Sequence, residues 1–421
     1  MPFLLRTALR RTLAVAAIVA AYGCNDFLSV SNTGTVDVGE IDPARDAETL
    51  SLSSFQDLVA TYSFQAMYVA WFTGETIATE TFQGPNDFAR RAILDNDGDI
   101  NTVFGGLSDA IVSSGQVIDV LSAAPGADTS LALARAELVS GYAFELMAEE
   151  FCVGTVRVGP ALDSAAMLDS AQAHFTRAIA IGQASGTATG TAFANAALVG
   201  RARAELQAGK KTEAATDAAV VPADFVFNLT YADDPANRDR VGNQFWARTF
   251  GRGSISVSEG FRSLGRIVDS TSGDPRVLYK LPGSGLSAQD GVTPFYAQAK
   301  YTSYAAPMRL ASGLEAKYIA AEANGPSAEL ALIDERRAAN GQPAYSGPTD
   351  DASVLAELMT QKSLDFFLEG KRMGDFRRNG AAVPFVPVPG TPYFKTNGYG
   401  PIGDQTCWPL PIQETSNNPN L

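Results

Sequence analysis

Apolar side chains recur at helical spacing over most of this chain, and breaks in that rhythm mark where its character changes. Phe55, Leu58, Tyr62, Ala66 and Val69 share one face of a first predicted helix. A second, roughly 103–121, stops before Ala124-Pro125-Gly126. Four alanine-rich helices are expected next, over 131–151, 164–184, 192–207 and 212–221. On the second of these, Leu168, Ala171, Phe175, Ala178, Ile179 and Gly182 form the inward face. A further pair, 310–323 and 327–340, surrounds Asn324-Gly325-Pro326, where glycine ends one helix and proline opens the next. The last long helix is expected over 353–370.

Small residues at these spacings let helices approach closely, as in tetratricopeptide-like pairs. The consensus match is loose and the pairs are interrupted. The expected fold is therefore mainly α, a helical scaffold over 51–221 and 309–380 with long insertions. Residues 74–101 carry turn chemistry, Gly84-Pro85-Asn86-Asp87 and Asp95-Asn96-Asp97-Gly98-Asp99. The main insertion, 222–308, is rich in Gly, Ser, Asp and aromatics. So long a stretch of low helicity in a compact protein is usually functional. Residues 381–421 hold eight prolines and read as an extended strap over the helices.

The 421 residues carry a net charge of −14. Without Arg6, Arg10 and Arg11 of the first 23 residues, 29 basic residues face 46 acidic ones, or −17. Such a chain repels phosphates, so nucleic acid is not an expected partner. Those arginines precede a ten-residue apolar run at 13–22, too short for a bilayer span, and then Gly23-Cys24. Residues 1–23 read as a signal peptide and 24–50 as a tether, lipidated at Cys24. The alternative is an ordinary secretory leader with an incidental cysteine. Cys152 and Cys407 then remain in an oxidising compartment and are expected to pair, the alternative being two separate buried thiols.

Near the C-terminus, Leu364, Phe367 and Leu368 run into a charged cluster. Glu369, Arg372 and Asp375 stand three apart, and Arg378 follows, so on one helix they would form a connected ion-pair ladder. Beside so bulky an aromatic face the cluster reads as a structural knot. Glu369-Gly370-x-Arg372-x-x-Asp375-x-x-Arg378 resembles the EG-x-R-x-x-D-x-x-R signature of the SusD/RagB family. Pro409-Leu410-Pro411-x-x-Glu414-x-x-x-Asn418-Pro419-Asn420-Leu421 resembles that family's closing P-x-P-x-x-E-x-x-x-NPNL. Residues 134–151, 310–323 and 332–343 are similar to its third helix, its LAE-x-x-L-x-x-AEA helix and its following loop. Asp365 stands where the family usually has Glu. The resemblance implies a single SusD-like domain over 51–421. It also implies an outer-membrane lipoprotein, facing outward, that binds glycans or other nutrients as the lid of a TonB-dependent SusC-like transporter.

Catalytic chemistry finds little support. The sole histidine, His174, sits in an alanine-rich helix and reads as a packed or surface imidazole. No Ser/His/Asp or His/Cys metal set can be assembled around it. Asp95, Asp97 and Asp99 have the alternating spacing of a calcium loop, but Gly105 and Gly106 stand where the closing glutamate belongs. A solvated turn is expected, with a weak calcium site as the alternative. Glycans are held by aromatic faces with amides and carboxylates on the hydroxyls. Phe82, Asn86, Phe88, Trp246, Tyr296 and Tyr301, all in loop-rich segments, are the candidate ligand residues. Rival readings are a secreted carboxylate glycosidase and a helical-repeat scaffold that binds only protein.

Overall fold

The computed structural model describes residues 42–395 and 398–421. Cys24, the leader and most of the expected tether lie outside the described residues. Residues 42–46 fall in a separate N-terminal unit, where Arg45 pairs with Asp46 at 2.7 Å. The rest of the description concerns Ala47–Leu421.

The chain begins with α1 (Pro43–Phe72), β1 (Thr76–Ala78), α2 (Gln83–Ala89) and α3 (Gly98–Ser122). Then come α4 (Leu131–Glu150), α5 (Ser164–Ala184), α6 (Ala188–Gln207) and α7 (Lys211–Ala219). The insertion holds β2 (Val226–Leu229), α8 (Arg238–Val241), α9 (Gln244–Trp246), β3 (Ile255–Val257), α10 (Glu259–Leu264), β4 (Gly265–Ile267) and β5 (Asp274–Tyr279). It returns through β6 (Met308–Ser312) to α11 (Gly313–Asn324), α12 (Pro326–Ala339), α13 (Asp351–Asp365) and α14 (Arg372–Asn379). The last element is α15 (Ile412–Asn417).

The helix starts follow from local capping. The side chains of Ser130, Asp163, Thr187, Ser312 and Asp350 each accept a first-turn backbone N–H. Successive helices from α3 to α7 pack on one another, α7 packs on α11, and α11 leads through α12 to α13. Helices α3–α7 and α11–α13 therefore form one continuous stack, and the insertion loops out between α7 and α11. Glycines set how closely the stack closes. The Phe175 ring of α5 lies between Gly141 of α4 and Gly200 of α6. A Cβ on Gly141 would stand 2.6 Å from ring atoms, and one on Gly200 closer still.

Several sequence expectations are corrected. The tether was expected to reach residue 50, but α1 already runs from Pro43. Gly84-Pro85-Asn86-Asp87 is not a turn but lies in α2; proline is tolerated in a first turn, where its missing N–H has no helical partner. Residues 310–312 are strand, since β6 pairs antiparallel with β2 and Ser312 caps the helix that follows. The last helix breaks at Asp365, because Leu368 (φ 59°) and Gly370 (φ 72°) are left-handed.

That break abolishes the single-helix ladder. Glu369 instead pairs with Lys300 (2.6 Å) and Arg309 (2.9 Å). Arg372 is fully buried and donates to the Thr73 carbonyl (3.0 Å) and the Pro384 carbonyl (2.6 Å). Asp375 holds Lys362 (2.6 Å) and Arg378 (2.8 Å), and Arg378 reaches Glu322 of α11 at 3.0 Å. The cluster is a knot joining α1, α11, α13, α14 and the strap.

After a 3-10 turn at Gly380–Ala382, the described residues of the strap are non-helical up to the short helix α15. Cys152 and Cys407 form a disulfide with Cα atoms 5.1 Å apart. The adjoining Trp408 is fully buried, its ring 5.1 Å from Phe88 and 5.4 Å from Phe151. Arg91 reaches the strap from the end of α2, donating to the carbonyls of Pro387 (2.8 Å) and Gln405 (2.6 Å). Asn418 of the NPNL tail donates to the Gly159 carbonyl at 2.7 Å. The tail motif is thus an anchoring device.

Candidate functional site

The insertion positions its aromatics through one helix with an irregular end. Asn243 caps α9, its side-chain oxygen accepting the Trp246 N–H at 3.3 Å. The helix then widens into a π-helical turn, Ala247–Gly251. Such turns re-aim side chains and are frequent at functional sites. Here the Trp246 and Phe250 rings lie 5.8 Å apart. Asn243 also draws in a distant loop, donating from its backbone to the Tyr304 carbonyl (2.8 Å) and from its side chain to the Ala306 carbonyl (2.8 Å). Gly242 lets that loop close in, since a Cβ there would meet the Tyr304 ring at 2.8 Å. The Tyr304 ring stands 4.3 Å from Trp246. Tyr304, Trp246 and Phe250 form a row of three partly exposed rings.

The same turn carries Arg248 and Arg252 into a groove of about 320 Å³ beside the end of α1. Tyr68 and Trp71 line it from α1, and Glu80, Phe82, Asp97 and Asp99 line it from the loops. Phe82 is 56% exposed, with the Arg252 guanidinium 4.8 Å from its ring centre. Arg252 pairs with Glu80 at 3.0 Å. Burial, reinforced by the Asp97 carboxylate, pushes the Asp99 carboxyl up to about 6, although the Tyr68 hydroxyl opposes this by hydrogen bonding. Gly84 permits this closeness, since a Cβ there would collide with the Asp99 carboxylate. The groove offers mixed donors and acceptors next to one exposed ring, a set suited to hydroxyl groups.

The six candidate ligand residues do not converge. Phe82 and Trp246 sit at the groove and the row. Asn86 is fully buried, donating to the Glu80 carbonyl (2.9 Å) and the Phe82 carbonyl (2.6 Å) and accepting from the Tyr393 hydroxyl (2.9 Å). Phe88 is a core residue, 4.5 Å from the Tyr68 ring. Tyr301 is buried, stacked on Phe245 at 5.4 Å, with its hydroxyl on the Leu368 carbonyl at 2.9 Å. Tyr296 is half-buried beneath Arg262, whose guanidinium lies 3.6 Å from the ring centre. Asn86, Phe88 and Tyr301 are therefore corrected to structural roles, because each already has its partners within the fold.

Residues outside that set supply much of the site. The spacing of Trp246 and Phe250, four apart, is a usable sequence signal for one side of a helix. Tyr304, Tyr68, Trp71 and Arg248 give no such signal, since tertiary contacts alone bring them in. Asp97 caps α3, accepting the Asp99 N–H at 2.7 Å. Among the described residues no group of three or more metal-ligating side chains gathers, at Asp95, Asp97 and Asp99 or elsewhere. His174 lies against Glu137 (2.6 Å) and stacks on Phe144 (5.6 Å).

Other cavities lie beside the C-terminal knot. One of about 520 Å³ is lined by Lys300 and Arg309, each paired with Glu369, and by Arg276 and Asp365, paired at 3.1 Å. Another of about 680 Å³ has Arg337 and Glu357 in its lining, paired at 2.7 Å.

No family model matches the chain, and no curated protein does. Solved structures are similar. A SusD superfamily protein from Parabacteroides distasonis ATCC 8503 has a TM-score of 0.65 at 14% identity, over 91% of this chain and 99% of that one. One from Bacteroides vulgatus ATCC 8482 has 0.63 at 14% identity, over 89% and 98%. A laminarin-binding SusD-like protein has 0.60 at 16% identity, over 88% and 99%. The architecture, a stack of helices with a looped-out insertion and a strapped end, defines a class of helical scaffold. This chain has the SusD-like fold. Among the described residues no helix is long and apolar enough to cross a membrane.

Proposed function

We propose that this protein binds glycans at the outer surface of a bacterial cell, on the face built by the insertion. The observation that carries this is the row Tyr304–Trp246–Phe250, partly exposed rings 4.3 and 5.8 Å apart. Partly exposed rings in series suit the C–H faces of successive sugars. Structures of the same fold that are described as sugar-binding support the reading. We further propose that Cys24 is lipidated at the outer membrane and that the protein acts as the lid of a TonB-dependent SusC-like transporter, with no bond chemistry of its own.

The direct test is calorimetry of the purified chain on a panel of oligosaccharides, with product analysis of the same mixtures. Binding without product release is expected, and Trp246→Ala should weaken it at least tenfold while leaving the melting temperature in place. Product release would favour the glycosidase. Full binding by Trp246→Ala would remove the row from the site. For the lid, co-purification of the intact lipoprotein with an outer-membrane barrel is the expected result.

A further inference from the structure

We propose that the ligand of the Tyr304–Trp246–Phe250 row is an acidic oligosaccharide, its anionic groups held by Arg238 at one end and Lys280 at the other. This rests on the glycan-binding reading above and adds the charge of the ligand to it. The Arg238 guanidinium lies 4.6 Å from the ring centre of Tyr304, and the Lys280 ammonium lies 5.4 Å from that of Phe250. The two cations therefore bracket the three rings. A cation over a ring is attracted by its π-face, and it also occupies area that a neutral sugar would use. The ends of the row suit charge, while Trp246 in the middle suits the sugar ring.

Charge elsewhere points the same way. Residues 222–308 hold nine basic and eight acidic side chains, a balance of +1, whereas the remainder of the chain holds 23 and 38, or −15. The loop after Lys280, residues 281–289, contains no acid. Among the described residues no carboxylate is in ion-pair contact with Lys280. Arg238 pairs with Asp233 at 2.7 Å and has Asp234 nearby, but the paired side chains are about half exposed, at 41% and 50%, and such a pair is weak enough for a ligand carboxylate to take the place of Asp233. A guanidinium presents a planar fork that matches a carboxylate or sulfate. The groove beside Phe82 differs, since three acids, Glu80, Asp97 and Asp99, line it beside two arginines, and one of those, Arg252, is already paired with Glu80.

The experiment compares trigalacturonate with its methyl ester, which keeps the rings and loses the charges. Oligomannuronate and a sulfated trisaccharide serve as further acids, laminaritriose as the neutral control and triglutamate as an acidic peptide. Titrations of the full chain are run at about 0.01 M and about 1 M salt, where screening lengths are roughly 30 and 3 Å. At least one acidic sugar should bind more tightly than its neutral counterpart, with the advantage lost at high salt. Lys280→Gln and Arg238→Gln should each weaken acid binding about two- to fivefold, as expected for an exposed ion pair, and should not weaken neutral ligands. Trp246→Ala should weaken both. Equal binding of acid and ester, or equal effects of Lys280→Gln on both, overturns the proposal while the glycan reading stands. Triglutamate binding as tightly as the best acidic sugar overturns the sugar half of it. Failure of every sugar, neutral ones included, overturns the glycan reading itself.

Discussion

The Leu368 backbone N–H donates to Glu75 Oε1 at 2.9 Å, tying the left-handed turn of the C-terminal signature to the segment after α1. A left-handed non-glycine residue costs about 1–3 kcal/mol and persists only when its surroundings hold it. Glu75 is part of that hold. Burial pushes its carboxyl up to about 7, against the opposing pull of the Arg372 guanidinium and the Leu368 bond.

A carboxyl whose pKa is raised on folding stabilises the fold fully below its unfolded pKa of about 4.3 and loses that contribution as pH rises through the folded value. The parent should therefore lose stability between pH 4.5 and about 7 through this group. Glu75→Gln keeps the acceptor for Leu368 and cannot ionise. Its stability relative to the parent should rise across that window and level off above it. Urea unfolding at pH 5, 6, 7 and 8 measures this, and a constant difference would contradict the assignment.

Asn86 is read as a brace, not a ligand contact. Asn86→Ala leaves the Tyr393 hydroxyl and two carbonyls without their partner. A loss of about 1–3 kcal/mol is expected, the usual cost of a buried polar group left unsatisfied. Denaturant titration measures it, and a variant as stable as the parent would show that these bonds do not brace the fold.

The Phe175 slot is full. Gly141→Ala drives a methyl into ring atoms 2.6 Å away, and overpacking of this kind costs about 1–3 kcal/mol. Adding Phe175→Leu should recover part of the loss. The two variants compared by thermal melting decide whether the helix spacing is set there.

The Cys152–Cys407 bridge closes a loop of 255 residues. Replacing both cysteines by serine should cost about 2–4 kcal/mol. Limited proteolysis should then cut the strap first, near Gln405, whose remaining ties are hydrogen bonds to Arg91 and Ile93. Cleavage first in the helical stack would show that the strap does not depend on the bridge.

Periodicity alone marked out α5 to the residue and the neighbouring helices closely, because small residues at regular spacing leave few other ways to bury that surface. It failed at 310–312 and 366–370. There a cross-strand partner and a left-handed turn, both made by residues distant in sequence, overrode helical propensity. It also took Phe88 and Tyr301 for ligand residues, because an aromatic in a loop looks the same whether it faces solvent or core.

By itself, then, the sequence determined the helical class, the strapped end and the identity of the knot-forming charges, since these depend on local spacing and residue type. Only the tertiary structure decided which charges pair and which rings stand in a row. Glu369 met Lys300 and Arg309 rather than Arg372, and Tyr304 met Trp246 through Asn243. Such contacts form between segments dozens of residues apart, and their energy depends on how the chain folds back, which no local pattern encodes.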